Sequence, residues 1–163
     1  MEIITKNDCL DELEIKEILE GLIEKYEIPV FTEDVLIEKG VVPHSHPVLT
    51  LGTRTCDPLV ILKTFIHEQL HWFEAGHPRL DEAMGYLGIK YKNKGEFDEN
   101  RSFYIHIIVC FNTRNILKKL VSKEDLEYIY KQWQPYPLME DFIVENFDEV
   151  EGDLRKFEMV YLN

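Results

Sequence analysis

Residues 57–78 read DPLVILKTFIHEQLHWFEAGHP, and both ends of the stretch are marked. Asp57 suits an N-cap, and Pro58 suits the first helical position, where a missing N–H leaves nothing unsatisfied. Gly76 can supply the stop, and Pro78 lies just beyond it. The spacing predicts a helix over Pro58–Ala75. Leu59, Leu62, Ile66, Leu70 and Phe73 form one apolar stripe, and Ile61, Phe65 and Trp72 form a second. A helix that is apolar on two sides has to be covered on both. The strip carrying His67 and His71 is the one left open, so the rest of the chain has to build layers around this helix.

The chain is long enough to do so. At 163 residues with 45% apolar content, it carries a sizeable core, which excludes a disordered protein. No repeat, low-complexity segment or Gly/Ser linker divides it, so one domain spanning 1–163 is expected. Residues 8–26 read as an amphipathic helix ended by Pro29. IPVFTEDVLIEKGVV, rich in β-branched residues, reads as short strands with Gly40 as a turn, and 48–53 as another strand. Pro43 and Pro47 place that strand at an edge, since proline cannot donate to a ladder. After the central helix, RLDEAMGYLG predicts a short helix and YKNKGEFDE a polar loop. A long helix is expected over about 97–121. Ser122-Lys123-Glu124-Asp125 resembles a capping box and opens a helix to about Trp133. QPYP breaks the chain, and one or two acidic helices complete it. The expected class is α+β and mostly helical: an N-terminal helix and small sheet, then the central helix packed against further helices.

Charge narrows the partners. Asp plus Glu number 31 against 18 Lys plus Arg, a net charge of −13. That balance opposes binding to nucleic acid or an anionic membrane through charge. Cys9, Cys56 and Cys110 are odd in number and widely spaced, so they do not form a disulfide framework. Cys110, within IHIIVCF, is expected to be a buried thiol. The N-terminal MEIITKNDCLDEL lacks an apolar signal region, and no apolar run reaches the length of a membrane span. A cytoplasmic location is expected, with no membrane partner.

The chemistry lies in His67-Glu68-x-x-His71. Residues four apart are offset by about 40° around a helix, so the two imidazoles point the same way and can approach one ion from one side. Zinc accepts such nitrogens at about 2.0–2.1 Å. Glu68 is about 100° round from His67, at the flank of the pair, where it meets a water rather than the metal. The stretch resembles the longer signature of the zincin metallopeptidases. Thr64 fits a position often held by Val or Thr, Phe65, Gln69, Leu70 and Trp72 are uncharged, and Phe73 is apolar. An edge strand ahead of this helix also agrees with the family layout. The resemblance covers about ten residues. It implies a Zn²⁺-dependent peptidase of zincin-like fold, with a peptide or protein substrate and Glu68 as general base.

A catalytic zinc site takes a third protein ligand. His106 is preferred, because a histidine within the apolar run SFYIHIIVCF needs a reason to be there. Its long helix should pack against the first, with Glu99 or Ser102 on the same face to hold the imidazole tautomer. His77 has the metzincin spacing, but Glu74 occupies the position where that branch places a glycine. Glu99, on the downstream helix, is the gluzincin-like choice, and Glu82 is a nearer acid of the same type. Tyr104, Tyr86 and Arg101 are candidate substrate or oxyanion contacts. His44 and His46, in PHSHP, face one side if extended and can form a separate metal site or line the substrate rim. Two other readings stand beside the enzyme. One is an acidic binding protein that occupies a basic partner. The other is a structural zinc protein whose site is closed by a fourth ligand.

Overall fold

The computed structural model describes residues 1–92, 101–133 and 135–161, and of Arg101 the backbone only. Three strands, β1 (Glu2–Thr5), β2 (Asp34–Glu38) and β3 (Leu49–Gly52), form one sheet in the order β1-β2-β3, with both pairs parallel. Seven helices are described: α1 (Leu10–Lys25), α2 (Pro58–Ala75), α3 (Leu80–Lys90), α4 (Arg101–Leu120), α5 (Lys123–Gln132), α6 (Pro137–Glu145) and α7 (Phe147–Arg155). The molecule is α+β and mostly helical. The N-terminal element is a strand, not a helix. Parallel strands need a crossover, and α1 provides it between β1 and β2. The β-rich segment after Pro29 yields the single strand β2. Its start at Phe31 and Thr32 is taken up instead by the buried side-chain amide of Gln69, which accepts from both backbone N–H groups and donates to the Thr32 carbonyl.

Ile3, Val35, Ile37, Leu49 and Leu51 are buried on one face of the sheet, against α1 and α2. β3 is an edge strand, as the flanking prolines implied. Its outer side is bridged at Thr50 by the backbone of His44, through two hydrogen bonds of 3.0 and 2.7 Å. α4 lies between two clusters. Val109, Ile116 and Leu117 join the sheet-side core with α1, α2 and α5. Ile107, Ile108, Cys110 and Phe111 join a second core with α3, α6 and α7. α2 packs directly on α4, the arrangement that brings their polar strips together. The caps behave as the residues dictate. The Asp57 carboxylate accepts from the N–H groups of Leu59 and Val60, and Ser122 Oγ accepts from Asp125 N–H. Each such cap stabilises its helix by about 1 kcal/mol.

Two buried carboxylates tie elements together. Asp153 on α7 accepts from Tyr86 at 2.9 Å, Tyr91 at 2.7 Å, Lys156 at 2.8 Å and Lys90, clasping α3 to α7. Burial alone would raise its pKa, but these donors together hold it below the usual carboxylate range. Glu12, with no exposed surface, accepts from the backbone and side-chain N–H groups of Asn7 and from Lys39 N–H. Burial works against its charge, yet the donors from Asn7 and Lys39, with the Cys9 backbone, bring its pKa from 4.5 down to about 2. A depressed carboxylate stabilises the fold above its unfolded pKa and loses that contribution as pH falls through the folded one. Glu12→Gln is therefore expected to destabilise the protein at neutral pH. The gap between wild type and variant should close between about pH 4.5 and about pH 2, as followed by denaturant melts.

Candidate metal centre

His67 and His71 occupy successive turns of α2, and His106 faces them from α4. Their ligand nitrogens all lie within 4.8 Å of one another. The ring centroids are 5.1 Å apart for His67–His71, 5.7 Å for His67–His106 and 5.1 Å for His71–His106. His106 donates from Nδ1 to the Ser102 carbonyl at 2.7 Å, which fixes the tautomer and leaves Nε2 free of a proton. Ser102 thus acts through its backbone. Its hydroxyl, at 3.4 Å, is a weaker contact. Burial, reinforced by the neighbouring imidazoles, pushes the pKa of His67 well below its ordinary value. Burial also lowers that of His106, against the pull of the Ser102 carbonyl. Neutral imidazoles are what a metal needs. Tetrahedral zinc with nitrogens at about 2.0–2.1 Å would set them about 3.3 Å apart, so binding would draw the imidazoles together from this geometry. The donor set fits zinc.

Glu68 is 6% exposed and flanks the pair. Burial pushes its pKa up to about 7, against the charges of His71 and His44. The PHSHP loop is seated on the next turn of the same helix face. Trp72 Nε1 donates to the Ser45 carbonyl at 2.9 Å, and His46 stacks on the Trp72 ring at 4.4 Å. His44 Nδ1 is 2.9 Å from the Val42 carbonyl. The two histidines of this loop are thus held separately, at the rim of the Glu68 side.

The other candidates lie elsewhere. α2 runs on through Ala75, and Gly76 stays right-handed at φ −83°, so the chain does not double back toward the histidines. His77 packs its ring on Phe73, and its Nδ1 accepts from Arg79 N–H at 3.3 Å. Glu82 is exposed and paired with Arg79. Tyr86 is committed to Asp153. Tyr104 belongs to the second core, its ring 3.6 Å from where a Cβ on Gly88 would sit. Glu99 and the side chain of Arg101 lie outside the described residues.

Two features of the site had no counterpart in the sequence reading. Tyr136, from the QPYP break, packs its ring 4.0 Å from His106 and 5.8 Å from His67. Burial, with the charges of Cys110 and Glu68, raises its phenol pKa. Tyr136 is the N-cap residue of α6, with Pro137 at the first helical position. The second is a neighbouring cavity of about 260 Å³, one helical turn before Glu68, lined by Val60, Ile61, Thr64, Leu51, Trp133, Pro135 and Arg54 but by neither the three histidines nor Glu68. No family model, curated protein or solved structure matches the chain.

Proposed function

We propose that the protein is a zinc-dependent hydrolase, with a peptide or protein as substrate. The observation that carries this reading is the convergence of three imidazoles from two helices beside a buried carboxylate one residue from the first of them. His67, His71 and His106 would hold the zinc, which would supply a water of lowered pKa and polarise a carbonyl. The chain's own groups do the rest. His106 is held by Ser102, so its Nε2 stays aimed at the site. Glu68 takes a proton from the attacking water onto its carboxylate and returns it to the nitrogen of the leaving amine. Tyr136 packs its ring against His106 and His67. The cavity beside Thr64, one helical turn before Glu68, is mostly apolar and suits an apolar side chain of the substrate. Among the described residues no helix is long and apolar enough to cross a membrane.

The test is metal content and titration on protein made without a polyhistidine tag. About one zinc per chain is expected, lost when His67 and His71 are both changed to Ala. His106→Ala should weaken zinc at least about tenfold, since loss of even an outer partner costs about 10–100-fold. His77→Ala should leave affinity nearly unchanged. The affinities are compared on protein shown by circular dichroism to be folded. No zinc after reconstitution, or release by His77→Ala with retention by His106→Ala, overturns the assignment.

A further inference from the structure

We infer that Glu74 is a positioning residue of the metal centre, acting through His71; this rests on the metal reading above. Glu74 lies three residues after His71, on the same strip of α2. It is 5% exposed, and its Oε1 faces His71 Nδ1 at 3.6 Å. The contact is just longer than a hydrogen bond; it turns Nδ1 toward the carboxylate, which would leave Nε2 for the metal. The other oxygen, Oε2, is buried without a hydrogen-bond partner among the described residues. Glu74 is not one of the three grouped donors, so it stands behind the imidazole and does not close the site.

For folding alone, glutamate is a poor choice here. A buried carboxylate oxygen lacking a donor is costly. The last turn of a helix is also its negative end, where cations are favoured, and the last turn of α2 carries no basic residue. A divalent cation bound on the far side of His71 would offset the cost of burying this charge, although Oε2 gains no donor from it. The imidazole N–H then carries more positive charge, and the carboxylate accepts from it in the carboxylate–histidine–metal arrangement. His106 already has the Ser102 carbonyl behind it; Glu74 gives His71 its equivalent.

A residue that burdens the metal-free fold and strengthens the metal-bound one has a two-part signature. Glu74→Gln keeps the shape and removes the charge. The metal-free variant is expected to melt about 2–4 °C above wild type. Its zinc affinity, measured by chelator competition, is expected to fall about 10–100-fold. Glu74→Asp draws the carboxylate back by one methylene and should fall between the two. Glu82→Gln, at an exposed acid on α3, should change neither quantity. A purely structural Glu74 predicts the reverse: a lower metal-free melting temperature with unchanged affinity in the folded variant, and that result overturns the inference while leaving the zinc reading intact. Wild-type protein that takes up no zinc removes both.

Discussion

Glu68→Gln is expected to bind zinc as wild type does and to hydrolyse peptides about 10²–10⁴-fold more slowly. The amide has the volume of the carboxylate, so the packing around this buried side chain is kept. What is lost is the ability to accept a proton. The three imidazoles are untouched, so metal content should not change. The experiment pairs zinc stoichiometry with the turnover of a quenched peptide library. Expulsion of zinc by the substitution makes Glu68 a ligand and removes its role as base. Full turnover in the variant removes the role as well.

The second large effect concerns stability. Lys63 lies one turn before His67, with no exposed surface. Its ammonium donates to the Trp133 carbonyl at 3.0 Å, lies over the Tyr130 ring at 3.8 Å and pairs with Glu140 Oε1 at 3.1 Å. Burial lowers the pKa of Lys63 and raises that of Glu140, each opposed by the other's charge. Removing one partner of such a pair leaves a buried charge uncompensated, at about 3–5 kcal/mol. Glu140→Ala is expected to destabilise the fold by that amount in urea melts. Replacing both partners, Lys63→Met with Glu140→Leu, should recover most of the loss, because a well-packed apolar pair is often neutral. Loss of less than 1 kcal/mol in Glu140→Ala means the ammonium is satisfied by Trp133 and Tyr130 alone. The pair also bears on the site, since it fastens α6, which begins directly after Tyr136, to the turn of α2 that precedes His67.

How much was legible varied by element. α2 was readable to both ends because its signals are local: Asp57 and Pro58 at one end, Gly76 and Pro78 at the other. The Ser122 cap was readable for the same reason. β1 was not. Four residues of strand carry little pattern of their own, and their pairing partners at 34–37 lie a whole helix away. The several strands expected after Pro29 reduced to one, and at the start of that segment Gln69, a buried amide on α2, takes the backbone of Phe31 and Thr32 instead. Tyr136 stood in what reads as a chain break, and a break says where the chain turns, not what it turns onto.

The sequence by itself determined that one helix carries His67, Glu68 and His71 on a strip flanked by apolar stripes, because helical periodicity and capping act over a few residues. It also determined that the protein is acidic and built around a substantial core. Only the tertiary structure decided that His106 joins the pair while His77 does not, since that depends on how α4 packs across α2 and on Gly76 failing to reverse the chain. The same holds for Tyr136 over the histidines, Glu74 behind His71 and Glu140 against Lys63. Each is a contact between residues whose separation along the chain says nothing of their distance in space, or, for Glu74, a burial that only the covering layers impose.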